Sequence, residues 1–145
     1  MRKLVLAISM LAFAGSAAFA DPIADREASM KERGKIVGGL SKVVKGEEAF
    51  DAAAVLEQLK ALEANADKFD VAVLFPAGSD QGKTEASPKI WEDMAGFKAA
   101  EDKYLADVKA AVAAAPANVD ALKESFGKVA ANCGACHKVY RLKKS

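Results

Sequence analysis

Hydrophobic residues recur at every third or fourth position along four stretches of the chain, and this spacing predicts four amphipathic helices. The first helix is predicted from about Asp25 to Val44, with apolar residues at heptad intervals, and it ends at Gly46. The second is predicted to begin after Asp51, whose side chain can cap a helix. Its apolar stripe is unbroken and consists of Val55, Leu59, Leu62, Ala66 and Phe69.

The second half of the chain predicts two more helices, after a long loop over residues 70–87. The third helix is predicted from Pro88 to about Ala115, because serine precedes Pro88 as a cap and Pro116 interrupts the pattern. The fourth is predicted from Val119 or Asp120 to Lys143. Its apolar stripe includes both cysteines of the chain and consists of Leu122, Phe126, Val129, Cys133, Cys136 and Tyr140. Four such helices with mostly short links predict an all-α fold, an antiparallel four-helix bundle with the cysteines facing its core.

The first 20 residues have the three parts of a secretory signal peptide. A positive start, Met1-Arg2-Lys3, precedes an apolar run from Leu4 to Ala14, and Ala18-Phe19-Ala20 matches a cleavage site. The apolar run has eleven residues, well short of the roughly 20 that cross a bilayer, so we expect no membrane anchor after cleavage. The sequence therefore predicts a cleaved leader over residues 1–20 and one bundle domain over residues 21–145.

Charge is nearly balanced once the leader is set aside. Without Arg2 and Lys3, 19 basic residues face 20 acidic ones, and the remaining length suits a single core. Nucleic-acid binding depends on a marked basic excess. We therefore expect no nucleic-acid partner.

The segment Cys133-Gly134-Ala135-Cys136-His137 has the spacing of covalent haem c attachment. Thiols three residues apart on a helix point toward one face, where they can add to the two vinyl groups of one porphyrin. His137 can then give a neutral imidazole nitrogen to the iron. The sequence predicts one haem c per chain, with Cys133 and Cys136 as thioether donors and His137 as the proximal iron ligand.

Other interpretations of the same residues are weaker. A structural zinc ion usually takes four protein ligands, but the chain has only two cysteines and one histidine. A thioredoxin-type pair follows a strand, and no strand is predicted here. A bundle without a cofactor would bury two thiols and an imidazole without partners, and this burial would reduce the stability of the fold by several kcal/mol.

The chain resembles class II cytochromes c, a family that includes cytochrome c prime and the cytochrome c-556 type. Besides residues 133–137, the resemblance rests on one further residue and three segments. These are Arg141, Val44-Lys45-Gly46-Glu47, Leu74-Phe75-Pro76-Ala77-Gly78-Ser79 and Ser87-Pro88-Lys89-Ile90-Trp91. It covers nearly the whole chain beyond the leader. The resemblance implies an exported four-helix bundle that forms homodimers and exchanges electrons with redox partner proteins in the periplasm.

A sixth iron ligand would have to come from outside the pentapeptide, which holds the only histidine. Met30 lies on the apolar stripe of the first helix, and Gly34 one turn later leaves room for a macrocycle. The segment Met30-Lys31-Glu32-Arg33-Gly34 is similar to the low-spin c-556 type, in which a first-helix methionine is the sixth ligand. The cytochrome c prime branch implies instead a high-spin, five-coordinate iron that binds NO or CO. We favour Met30 as the ligand in a low-spin electron carrier, and Met94 as a core residue.

Two arginines are candidates for contact with the haem propionates, although for Arg26 we favour an ordinary surface position. Arg141 follows His137 by one helical turn and Arg26 precedes Met30 by one turn, and guanidinium groups pair well with carboxylates. The other basic residues near Arg141 could steer an acidic redox partner or complement the helix dipole. Peroxide chemistry would need a distal acid/base, and no second histidine exists to serve, so we expect no enzyme activity.

Overall fold

Residues 21–143 are described by the computed structural model, and within them the all-α prediction is confirmed. The helices are α1 (Pro22–Lys45), α2 (Ala52–Asp67), α3 (Val71–Leu74), α4 (Lys89–Glu92), α5 (Met94–Ala114) and α6 (Val119–Tyr140). The four long helices pack in the cyclic order α1, α2, α5, α6 and back to α1, which closes a four-helix bundle. The predicted leader lies outside the described residues.

The bundle is held by an aliphatic core to which each long helix contributes. Its completely buried side chains are Leu40, Val55, Leu59, Leu62, Val108, Leu122 and Val129. Burying one aliphatic side chain of this size contributes about 1.5–3 kcal/mol. The apolar stripes predicted from the sequence therefore supply the main stabilisation of the fold.

Local capping sets the helix ends. Asp21 accepts hydrogen bonds from the backbone N–H groups of Ile23 and Ala24 at 3.0 and 3.3 Å, so α1 begins three residues before the predicted start. The predicted cap at Asp51 is confirmed, because its carboxylate accepts from Ala54 N at 2.8 Å. Gly46 ends α1 with φ 76°, a left-handed conformation that suits glycine.

The predicted third helix is interrupted, which the apolar pattern did not indicate. Asp93 leaves the helical conformation between α4 and α5, and its carboxylate caps α5 by accepting from Gly96 N at 3.1 Å. The same carboxylate accepts a hydrogen bond from the Tyr140 hydroxyl at 3.1 Å. A side chain at position 96 would collide with both groups, since its Cβ would lie 2.7 Å from the Tyr140 hydroxyl oxygen. The interruption thus fixes the start of α5 against the end of α6.

The long connection between α3 and α4 is fastened to the C-terminal end of α6, and we call its residues 79–87 the strap. Ser87 N donates to Tyr140 O at 3.0 Å, and Leu142 N donates to Glu85 O at 2.8 Å. Ala86 and Arg141 thereby form an isolated antiparallel bridge. This bridge explains why α6 ends at Tyr140 rather than at the predicted Lys143.

A second, aromatic-rich cluster fills the bundle end beneath the strap. Its buried members are Phe69, Leu74, Phe75, Ile90, Phe97 and Tyr140. The Phe97 ring meets the Phe75 and Tyr140 rings edge-on, with centroid distances of 4.7 and 5.1 Å. Met94 packs against this cluster, which confirms it as a core residue. Among residues 21–143, no helix combines the length and apolar character that crossing a membrane requires.

Candidate functional site

A cavity of about 560 Å³ opens at this bundle end, and the strap forms part of its wall. Its lining contains all six residues that the sequence singled out, namely Arg26, Met30, Cys133, Cys136, His137 and Arg141. Further lining comes from α5 and from the strap. The fold therefore brings together residues from the first and the last helix of the chain.

The two thiols lie on the inner side of α6 and are half-buried and free. Burial raises the pKa of the Cys136 thiol to about 11, and it also raises the pKa of the Cys133 thiol. Both thiols are therefore neutral at pH 7. Their three-residue spacing on α6 places them along one wall of the cavity, as the sequence predicted.

His137 lies in the last turn of α6, where it is exposed and lines the cavity. Partial burial lowers its pKa, and the positive charges of Arg141 and Arg33 lower it further. The imidazole is therefore held in its neutral form near pH 7, which is the form that can bind a metal ion. Met30 is half-buried on α1, the helix that packs beside α6, and it contacts the aromatic cluster. The two candidate iron ligands thus come from neighbouring helices.

Both candidate propionate arginines are engaged with the strap or its flanks, and the expectation that Arg26 is an ordinary surface residue is wrong. Arg26 is 4% exposed and donates to Ser79 O and Thr84 Oγ1 at 2.7 Å each, to Ser79 Oγ at 3.1 Å and to Leu74 O at 3.3 Å. Arg141 is exposed and pairs with Glu85, its nitrogen atoms 2.7 and 2.8 Å from one carboxylate oxygen. Both side chains still line the cavity, and their contact with propionates stays a prediction.

We expect Arg26→Met to destabilise the protein by about 3 kcal/mol, because it leaves buried carbonyl and hydroxyl groups without a donor. Arg26 also stacks on the ring of Phe75, its guanidinium carbon 5.0 Å from the ring centroid. Arg26→Lys keeps the charge but cannot reach four acceptors, so it should recover only part of the loss. Guanidinium chloride unfolding of the haem-loaded protein measures both variants. A loss below about 1 kcal/mol for Arg26→Met would show that the strap is held mainly by α6.

A buried ion pair that was not predicted from the sequence lines the same cavity. Arg33 donates to both carboxylate oxygens of Glu101 at 2.7 and 3.0 Å, and the two side chains are only 8% and 11% exposed. Asn65 accepts from Arg33 Nε at 3.1 Å, and the guanidinium carbon lies 4.2 Å from the Tyr104 ring centroid. One sign was present in the sequence, since Glu101 occupies an inward position between Phe97 and Tyr104 on α5.

Tyr104 tests whether the cavity suits a bound group. Tyr104 lines the cavity, and its hydroxyl oxygen is buried with no hydrogen-bond partner among the described residues. Burial raises its pKa far above the ordinary value, so it stays a neutral donor. A buried hydroxyl without a partner is costly, and it is satisfied where a ligand brings a polar atom. The cavity volume, two thiols, a neutral imidazole and this unpaired donor all fit a large cofactor with polar edges.

A helical bundle whose last helix presents CxxCH to an internal cavity defines a c-type cytochrome. The family model of cytochrome c' matches residues 21–141, and the chain belongs to this family. Cytochrome c-556 of Agrobacterium fabrum is 38% identical over 131 residues, which cover 90% of this chain and 88% of that protein. Cytochrome c' of Rhodopseudomonas palustris is 40% identical over 129 residues, or 86% of this chain and 84% of that protein.

The fold also matches a solved structure, a nitric oxide complex of a cytochrome c prime mutant from Alcaligenes xylosoxidans. The two share 33% identity with a TM-score of 0.76, over 86% of this chain and 95% of that one. Family membership confirms the resemblance drawn from the sequence, and it confirms haem c with its iron as the cofactor. The family comprises electron carriers and gas-binding haem proteins.

Proposed function

We propose that this protein is a periplasmic single-electron carrier that binds one haem c per chain. The observation that supports it most directly is the cavity, which Met30 lines from α1 while Cys133, Cys136 and His137 line it from α6. Haem c supplies iron that changes its oxidation state by one electron. An iron with the same two protein ligands in both states rearranges little, which suits electron transfer rather than ligand binding.

The residues have distinct roles in this proposal. Cys133 and Cys136 form the thioether bonds, and His137 gives its neutral imidazole to the iron as the proximal ligand. The Met30 thioether occupies the sixth position and closes the site to small molecules. Arg26 and Arg141 lie on the cavity wall with donors that suit propionates.

A high-spin, five-coordinate site that binds NO or CO is the second candidate. Two observations favour it. Methionine is flexible and fills core space equally well without binding iron, and the similar Alcaligenes xylosoxidans mutant binds nitric oxide. In this alternative Met30 would serve as an apolar wall of the distal side.

Export, assembly and partners are further parts of the proposal. The leader pattern supports export to the periplasm, where redox proteins of an electron-transfer chain would be the partners. Family membership supports a homodimer and argues against a catalytic role. The near-balanced charge supports neither nucleic-acid binding nor, after cleavage of the leader, attachment to a membrane.

Visible spectra of the haem-loaded protein, oxidised and reduced, with and without CO, test the proposed coordination. We expect sharp low-spin α and β bands in the reduced protein that CO leaves unchanged, because Met30 fills the sixth position. Broad high-spin bands that shift when CO is added would overturn the electron-carrier proposal and support the gas-binding alternative.

A further inference from the structure

The second half of α6 and the residues after it form a basic segment in an otherwise acidic chain. From residue 125 to residue 143 the sequence contains three lysines and one arginine but no aspartate or glutamate. Residues 21–124 contain 14 basic and 20 acidic residues. The helix that bears the haem-attachment segment therefore carries an excess of positive charge, although residues 21–145 together have 19 basic and 20 acidic residues.

Two of these positive charges are not neutralised locally. Lys138 and Lys143 are exposed, and neither forms an ion pair with the residues that the structure describes. Lys128 differs, because it lies 3.8 Å from Glu124, and Arg141 is paired with Glu85. The net positive field at this end of α6 thus arises mainly from Lys138 and Lys143.

Two large apolar side chains are also exposed at this end of the chain. Val139 and Leu142 are 47% and 45% exposed, and only Val73 joins them as a large exposed hydrophobic residue in the described part of the chain. Gly134 and Ala135 are also exposed, so a partner can approach the helix backbone closely. We use the name α6 basic face for the exposed residues of α6, which are Gly134, Ala135, Lys138 and Val139, together with Leu142 and Lys143 just beyond the end of the helix.

The helical residues of the α6 basic face lie on the side of α6 opposite the haem-attachment thiols. Cys133 and Cys136 line the cavity, whereas Gly134, Ala135, Lys138 and Val139 are exposed on the same helix. A helix is about 10 Å across, so a partner on the outer side is separated from the thioethers by one helix only. We propose that the α6 basic face is the docking surface for an acidic redox protein that exchanges electrons through α6. This inference rests on the proposed electron-carrier function.

A second copy of this chain does not suit the surface. A symmetric dimer through the α6 basic face would place Lys138 and Lys143 of one protomer against the same residues of the other, and like charges repel. An anionic membrane is also disfavoured. Each lysine contributes only about 1 kcal/mol at a membrane surface, so two lysines give too little for stable attachment. A weak attraction does suit redox partners, which bind through small interfaces and separate quickly.

The test measures how salt affects the oxidation of the reduced, haem-loaded protein by hexacyanoferrate(III). One electron leaves the haem iron, and hexacyanoferrate(III) becomes hexacyanoferrate(II). Attraction by the α6 basic face makes this trivalent anion react faster at low salt, with a rate constant that falls about tenfold from 10 to 200 mM salt. Without its predicted leader the chain has 19 basic and 20 acidic residues, and this net charge predicts the opposite trend. A rate constant that rises with salt, or does not change, overturns the proposal.

Charge-reversal variants show whether the α6 basic face is responsible. Lys138→Glu with Lys143→Glu should abolish or invert the salt effect. The matched control, Lys45→Glu with Lys123→Glu, changes the net charge equally, but these lysines lie at the C-terminal end of α1 and in the first turns of α6. It should retain the fall in rate with salt. An equal effect of both double variants would assign the attraction to net charge and contradict the proposal.

Two further measurements separate the alternatives. Co-sedimentation with vesicles of equal parts phosphatidylglycerol and phosphatidylcholine should recover no protein at 100 mM salt. Binding that Lys138→Glu with Lys143→Glu removes would make the face a membrane contact and overturn the proposal. A five-coordinate spectrum would contradict Met30 ligation without changing the salt effect, so failure of the proposed coordination and failure of the docking surface are distinguishable.

Discussion

Met30→Ala is expected to turn a haem iron closed to exogenous ligands into one that binds CO stoichiometrically when reduced. Met30 supplies the proposed sixth ligand, and its side chain lines the cavity beside the aromatic cluster. Apart from His137, the proposed proximal ligand, no other histidine or methionine lines the cavity in the described part of the chain to replace it. The spectrum of the reduced variant should change from sharp low-spin to broad high-spin bands, and a CO titration should then reach one CO per haem.

Two control variants separate ligation from packing. Met30→Leu keeps most of the side-chain volume but lacks sulfur, so it should open the iron to CO with a smaller loss of stability than Met30→Ala. Met94→Ala removes a methionine that packs against the same cluster but does not line the cavity, and it should leave the spectrum low-spin. Low-spin, CO-resistant spectra in both Met30 variants would contradict the assignment of Met30 as the ligand.

The second large effect is expected at the Arg33–Glu101 ion pair. Removing one partner of a buried ion pair leaves an uncompensated charge and typically costs about 3–5 kcal/mol. We expect this loss from both Arg33→Gln and Glu101→Gln, measured by guanidinium chloride unfolding of the haem-loaded protein. The double variant Arg33→Met with Glu101→Met removes both charges, so it should lose much less stability than the two single variants together.

The same variants should shift the reduction equilibrium in opposite directions. Glu101→Gln leaves the positive charge of Arg33 on the cavity wall and therefore favours the reduced haem. Arg33→Gln leaves the negative charge of Glu101 and favours the oxidised haem. Each change should alter the ratio of reduced to oxidised protein about tenfold at a fixed potential, because burial weakens screening by solvent. Spectral titration with a redox mediator measures the ratio. Shifts of the same sign would show that the pair acts only through packing.

The sequence predicted the parts of the fold that depend on local pattern. The stripe from Val55 to Phe69 and the cap at Asp51 depend on residues near each other in the chain, and they predicted α2 closely. The haem-attachment residues Cys133, Cys136 and His137 were also predicted, because the CxxCH spacing is local in the chain. The other three site residues were predicted to serve the same cofactor. The cavity then brought Met30 and Arg26 to the same place as residues 133–141.

The features that the sequence did not predict depend on distant partners. The break at Asp93 follows from its contact with Tyr140, a residue in another helix. Glu101 interrupts an apolar stripe, and only Arg33 on α1 explains why a carboxylate is stable there. One exception is the short helix α3 within the predicted loop, which begins at a local cap, because Asp70 accepts from the backbone of Ala72 at 2.9 Å. Periodicity identifies which face of a helix is buried but not which polar groups meet across the bundle.

The cavity lies between the first and last helices, and this position affects the order in which the haem site is assembled. The attachment residues Cys133, Cys136 and His137 are local in sequence, so the unfolded chain can receive its haem before the bundle forms. Met30 lies about a hundred residues earlier, and such a long-range contact forms only when the bundle closes. The proposed iron–thioether bond would therefore be the last to form, and its spectroscopic signature would report completed folding.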